Sequence, residues 1–355
     1  MKRILYSVLA LTLGTTMLVG CNSNSDSTLN QTDSSSEKIE ARTELETQSN
    51  DIYAGDYHVI LSHDGHPDPD DNAACLAGTV AALRNASGSS RIKLIGMIYG
   101  DTTESRQNDM INGSTKESKK PTDAQKARAN YTFFTKYGRP ALESLKLPNG
   151  FMIKNITPEK YNFNAKKLDD MASGGQLLAS QITNAISQKF RVVISTGGGE
   201  NSAAEAVAYL KNQGKSDAVI KEHFAVVQHS AWNWKNATEG SAKKIIANFT
   251  IRIEDQNKYT GSDIPTTASA NKTSAAFVKA WTGAVVNDAS KNPIMKDINN
   301  LKPVRDASDA GSHHFASDAG ALDKNWGIRN NDLDKENGGL KYGAYTKQVM
   351  SNDLN

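Results

Sequence analysis

Four aspartates fall within eight residues: Asp64, Asp68, Asp70 and Asp71. They stand in the run Ser62-His63-Asp64-Gly65-His66-Pro67-Asp68-Pro69-Asp70-Asp71-Asn72. Carboxylates so close repel one another unless something compensates. A hard cation is the simplest compensation, and calcium suits a mixed set of carboxylate and carbonyl oxygens. The plainer reading is a solvated acidic turn that caps a helix, which accounts for Asp70 and Asp71. It accounts less well for Asp64 and Asp68, set among prolines and histidines. Other metal motifs fail. An EF-hand from Asp64 would have Pro69 for its turn glycine and Cys75 for its closing glutamate. One from Asp332 would have Asn337 and Gly343 there. There is no His-Glu-x-x-His, and no cysteine pair suited to zinc.

A second constellation is Ser195-Thr196-Gly197-Gly198-Gly199-Glu200-Asn201. Glycines between strand and helix first suggest a phosphate site. No Lys-Ser or Lys-Thr follows at P-loop spacing, and the glycine spacing is wrong for a dinucleotide fingerprint. A tight turn with Asn201 as helix cap is the plain alternative. A third is Ser312-His313-His314-Phe315-Ala316-Ser317-Asp318 near the C-terminus, where an exposed polar loop competes with a site role. Asp101 follows an apolar run, and Asn233 lies in Trp232-Asn233-Trp234. The two tryptophans could stack on a sugar or base ring, although packing is the commoner use of such aromatics.

The first run resembles the aspartate-rich motif of the nucleoside hydrolase superfamily, with a loop two residues longer than usual. The step from Asp64 to Asp70, with an acidic residue and proline before Asp-Asp, is more similar to a divergent branch. That branch is described as nucleoside-hydrolase-like or cellulose-binding. Thr196-Gly197-Gly198, then Asn201 and Ala203-Ala204, resembles the family's second motif, with Glu200 in place of a threonine. The resemblance implies calcium held by Asp64, Asp71, the Thr196 carbonyl and Asp318, with Asp306 and Asp309 competing for the last place. It further implies Asp70, Asp101 and Asn233 as sugar ligands, Asp64 as the base and His314 as the acid. The family's late His-Asp pair is missing here, which bears on the acid.

These residues need elements to position them. His58–Leu61 reads as a strand, and Ala73, Leu76, Ala77, Val80 and Leu83 recur at helical spacing after the loop. Cys75 falls in that helix as a small core residue. Further strands are expected at 91–100, 190–195 and 224–229, and helices at 122–137, 175–189, 201–210 and 274–286. Residues 140–165 read as irregular, 245–253 fit either helix or strand, and the Gly-, Ser- and Asn-rich tail from Asp306 reads as surface loop. Alternating strands and helices imply an α/β fold, an open and mostly parallel sheet with helices on both faces. In such sheets ligands bind beyond the carboxyl ends of the strands, where Asp64 and Thr196 fall.

The N-terminus reads differently. Met1-Lys2-Arg3, a short apolar run and Leu18-Val19-Gly20-Cys21 form a secretory signal rather than a membrane span. The sequence around Cys21 is similar to a bacterial lipoprotein signal, and Asn22 after it favours the outer membrane. The expected organisation is a signal at 1–20, a lipidated polar tether at 21–52, and one nucleoside hydrolase-like domain at 53–355. A formal net charge of +2 argues against a nucleic-acid surface. The expected partners are a small nucleoside or glycoside and a membrane reached through lipid, and a homo-oligomer is compatible with the chain. Three functions are carried forward. The first is calcium-dependent hydrolysis of N-glycosidic bonds. The second is a non-catalytic carbohydrate-binding or scaffolding lipoprotein. The third is an O-glycosidase using two of the carboxylates.

Overall fold

The computed structural model describes residues 53–64, 78–79, 82–103, 147–154, 159–254, 308–330, 332–335 and 339–341. All belong to the unit Ile52–Asn355. The expectations for the signal, Cys21, the tether, Asp68, Asp70, Asp71, Cys75, Asp306 and the helices at 122–137 and 274–286 fall outside the described residues.

Among the described residues seven strands form one sheet: β1 (Tyr57–His63), β2 (Ile92–Tyr99), β3 (Met152–Lys154), β4 (Arg191–Thr196), β5 (Phe224–Gln228), β6 (Thr250–Glu254) and β7 (Leu340–Lys341). Their order is β3-β2-β1-β4-β5-β6-β7, and every neighbouring pair is parallel. β1, β4 and β5 are buried almost throughout, so they read as continuous apolar runs rather than as alternations. The chain builds outward from β1 to β3, then returns to β1's other side to lay down β4. The strand order therefore reverses between β1 and β4, and in open parallel sheets ligands bind beyond the carboxyl ends of the strands at such a point.

Helices cover both faces. Residues 82–88 are helical (α1). They are followed by α2 (Ser173–Gln188), α3 (Asn201–Asn212), α4 (Asp217–His223), α5 (Ala231–Ala237), α6 (Gly240–Ile246), α7 (Ser308–Ala316) and α8 (Ala319–Asn325). One core packs Val59, Leu61, Val193, Val227 and Ile251 against Ala82, Phe315, Leu322 and Trp326. The other packs Ile60, Ile194 and Val226 against Leu178, Ile182, Val207, Ile220 and Ile246. The α/β sandwich expected from the sequence is thus the observed one. No helix among the described residues is long and apolar enough to cross a membrane.

Three expectations change. The stretch 140–165, expected as irregular, carries β3, which pairs with β2 at the sheet's edge. The ambiguous stretch divides at Thr250: α6 and a short 3-10 turn (Ala247–Phe249) come first, and β6 starts where β-branched residues cluster. The tail expected as surface loop is instead α7 and α8, with Ser312, His313, Phe315 and Ala316 fully buried. Its glycines and serines lower intrinsic helix propensity, but packing on the sheet overrides that. A Cβ on Gly78 would lie 2.6 Å from His313 Cδ2, so glycine at 78 lets the two segments approach closely.

The opposite end of the sheet is tied shut. Arg91 makes a two-pronged pair with Asp323 at 2.8 and 2.9 Å, and the Tyr57 hydroxyl donates to the same carboxylate at 2.7 Å. The Arg191 guanidinium lies 3.9 Å from the Tyr53 ring centroid and 4.5 Å from that of Trp326.

The register of β1 on β2 slips once. Val59 pairs with Leu94 and Ile60 with Gly96, which leaves Ile95 as a bulge. A Cβ on Gly96 would lie 2.7 Å from the Met152 carbonyl of β3. Gly96→Ala is therefore expected to cost about 1–3 kcal/mol, the usual range for overpacking. Urea unfolding checks this through a lower midpoint at unchanged slope.

Candidate functional site

The crevice is built on the loop between β4 and α3. Thr196 ends β4 in register with Ser62 of β1 and Gln228 of β5, and it is fully buried. The Gly197 N–H then donates to Ser62 O at 2.8 Å, and the Gly199 N–H to Asp101 O at 2.7 Å. A Cβ on Gly198 would sit 2.5 Å from Asp64 Cβ and 2.8 Å from Asp101 O. Glycine is needed at 198 for this close approach.

Four of the residues singled out by sequence gather round this loop. Asp64, 1% exposed, stands at the end of β1 against Gly198, with its Oδ1 3.9 Å from His63 Nδ1. Thr196 leads into the loop. Asn233, in the first turn of α5, donates from Nδ2 to Gly197 O at 2.8 Å, and the same nitrogen lies 3.2 Å from His229 Nδ1. Asp101 follows β2 and is buried, and its carboxylate accepts from Asn201 N at 3.2 Å, Ser202 N at 3.1 Å and the Tyr161 hydroxyl at 3.0 Å. Burial pushes the Asp101 carboxyl up to about 6, with the Ser202 and Tyr161 hydrogen bonds opposing.

His314 and Asp318 lie at the junction of α7 and α8. His314 is 7% exposed and its carbonyl accepts from Asn85 Nδ2 at 3.3 Å, so the exposed-loop alternative does not hold. Asp318 is the N-cap of α8, its Oδ1 accepting from Gly320 N and Ala321 N at 2.9 and 3.2 Å. The backbone of Asp309 falls in the first turn of α7. Among the described residues no group of three or more His, Cys, Asp or Glu side chains is spaced to hold a metal. The loop donors Asp70 and Asp71 are outside that set.

The structure also defines His313 of the third constellation and adds groups, such as Glu205 and Tyr161, that sequence reasoning missed. His313 is fully buried, with Nδ1 2.7 Å from Ser195 Oγ, and burial beside His63 and His229 takes its imidazole down to about 3. It is uncharged at neutral pH. Glu205, buried on α3, accepts from Asn162 N at 2.6 Å and Ala172 N at 3.1 Å and so fastens residues 159–172. Burial raises it to about 7. Nothing in the sequence of that irregular segment marked Tyr161. The expectation of Asn201 as helix cap is corrected: its Nδ2 donates to Ala237 O at 3.0 Å and its Oδ1 accepts from Glu239 N at 2.8 Å. Its side chain is spent on tying α5 and α6 to the loop.

Glu200 is fully buried, and burial pushes its carboxyl up to about 8, against the opposing Thr250 hydrogen bond. Thr250 Oγ1 lies within donating distance of both Glu200 Oε2, at 2.7 Å, and Ile246 O, at 3.2 Å, while Glu200 Oε1 has no hydrogen-bond partner among the described residues.

No protein-family model matches the chain, and no curated protein matches it. Among solved structures, the chain is similar to a nucleoside hydrolase-related hypothetical protein from Saccharophagus degradans that is associated with carbohydrate metabolism. The identity is 14% over 85% of this chain and 72% of that one, with a TM-score of 0.42. It is also similar to the effector protein XOO4466, at 10% identity over 89% of this chain and 86% of that one, with a TM-score of 0.34.

The raised carboxyl of Glu200 has a sign that can be checked. Its folded value, about 8, lies above its ordinary value of 4.5, so the folded state holds this proton more tightly than the unfolded chain. Its ionisation then costs stability as pH rises from about 4.5 to above 8. His313 opposes only below its ordinary value of 6.5. Between pH 6.5 and 8.5 the melting temperature is expected to fall as pH rises, Glu205 adding to the slope near the lower end, and Glu200→Gln to reduce the slope most toward the upper end. Calorimetry across this window is the check.

Proposed function

We propose that the protein is a calcium-dependent hydrolase of N-glycosidic bonds in ribonucleosides or related glycosides, exported and lipid-anchored through Cys21 at the cell envelope, with the outer membrane favoured. One observation carries the reading. Asp64 and Thr196 end two adjacent parallel strands where the strand order reverses, and Gly198 brings their loops into contact.

The oxygen donors suit a hard cation: the Asp64 carboxylate, the Thr196 carbonyl and, from sequence, Asp71 and Asp318. Calcium held there would supply a water of lowered pKa and a seat for sugar hydroxyls. Asp64 would serve as the general base toward that water. Asp70 and Asn233 hold the ribose. The Asn233 amide is already oriented by Gly197 O, so Oδ1 is the acceptor it presents. Developing positive charge on the sugar is stabilised by the surrounding carboxylates. His314 donates a proton to the departing base. Its neighbour His313 is ill suited to that task, since it is held neutral against Ser195.

The second reading is a carbohydrate-binding or scaffolding lipoprotein that keeps the fold without turnover. Trp232 favours it: next to Asn233, it is 48% exposed and offers an apolar face to a sugar ring.

Sugar release from a panel of purine and pyrimidine ribosides, with calcium and with chelator, separates the two. Turnover abolished by the chelator is the expected result. Binding of glycans without turnover on any riboside, by protein that holds calcium, would move the assignment to the second reading. Asp71→Ala is expected to abolish calcium binding, and stoichiometric calcium retained in that variant would overturn the ligand set.

A further inference from the structure

Helix α3 lacks a cap of its own. Its N-cap residue, Glu200, makes no capping hydrogen bond, and the Asn201 side chain is engaged by Ala237 and Glu239. The first N–H groups of a helix need acceptors, most of all when buried. Here they come from another strand. Asp101, just past β2, accepts from Asn201 N on Oδ1 and from Ser202 N on Oδ2, while its carbonyl accepts from Gly199 N. A carboxylate is the strongest such acceptor, and the helix dipole favours it. Asp101 is itself anchored, its N–H donating to His63 O at 3.0 Å. The Tyr161 hydroxyl donates to Oδ1, and Tyr161 is borne by the segment that Glu205 of α3 fastens.

We infer that Asp101 and Tyr161 form a clamp that sets the 197–202 loop against Asp64, and are positioning residues for the crevice rather than sugar ligands. Both oxygens of Asp101 are occupied by the loop and Tyr161, and Gly198 is pinched between Asp64 and the Asp101 carbonyl. Releasing the clamp lets Thr196 and Gly198 shift relative to Asp64. The consequence for metal binding rests on the calcium reading above; the clamp itself does not.

The test is amide hydrogen exchange together with calcium titration on the full chain, comparing Asp101→Ala, Asp101→Asn and Tyr161→Phe. In Asp101→Ala, exchange at Asn201 and Ser202 is expected to speed by about tenfold, the scale of a lost hydrogen bond, with β1 and β5 amides unchanged. Calcium affinity should fall with it. Asn at 101 keeps one oxygen acceptor and should restore part of both. Tyr161→Phe should loosen Asn201, which shares Oδ1 with the hydroxyl, more than Ser202. Unchanged protection at Asn201 and Ser202 in a folded Asp101→Ala chain overturns the clamp. A loosened loop with unchanged calcium affinity overturns the positioning role. If the parent protein binds no calcium, the metal reading falls and exchange alone decides the clamp. If the alanine variant does not fold, the Asn and Phe variants decide it by the same criteria.

Discussion

Nothing larger than hydrogen fits at position 198, because a Cβ there would press on Asp64 and on the Asp101 carbonyl at once. That steric limit sets how near the ends of β1, β2 and β4 can lie. The sheet brings these strands side by side, but side-by-side strands are held only where the ladder runs. Beyond it, the loop needs its own bonds: Gly197 N–H to Ser62 O, Gly199 N–H to Asp101 O and Asn233 Nδ2 to Gly197 O. Each satisfies a backbone group that burial would otherwise leave costly. The crevice is thus shaped by backbone accounting before any ligand enters.

The two ends of the sheet solve opposite problems. At the amino ends, Arg91, Arg191, Asp323 and the rings of Tyr53, Tyr57 and Trp326 pair charge with charge and cation with aromatic face. At the carboxyl ends, Asp101, Glu200 and Glu205 are buried with no arginine or lysine among the chief influences on them. Their carboxyls are raised as a result. Perturbed acids gathered near a crevice are a common mark of a working site. Here Glu205 serves structure, its oxygens accepting from backbone N–H groups, whereas Glu200 bonds Thr250 through Oε2 and its buried Oε1 has no partner among the described residues.

Much of the fold was legible in sequence because it rests on period and punctuation. Val192-Val193-Ile194, followed by three glycines and an alanine-rich helix, announces a buried parallel strand and its turn. That Asp64 and Thr196 fall at the carboxyl ends of strands was legible because short-range spacing carries it. What escaped depends on contacts between distant segments. Tyr161 meets Asp101 across 60 positions, and Ser195 meets His313 across 118. The helices at 308–325 escaped for a different reason. Glycine and serine composition signals loop locally, and only the sheet's need for cover turns it into helix.

Burial that favours the protonated form of Glu200 bears on how this position of the motif reads. The resembling motif carries threonine at this position, and a glutamate there reads as the gain of a charge. With its proton retained, the side chain offers one O–H donor and oxygen acceptors, much the same inventory as a hydroxyl. The exchange is then a change of reach rather than of electrostatics, made possible by Thr250 waiting at 2.7 Å. Substitution scoring that counts formal charge would miss that the two side chains offer similar hydrogen-bonding groups.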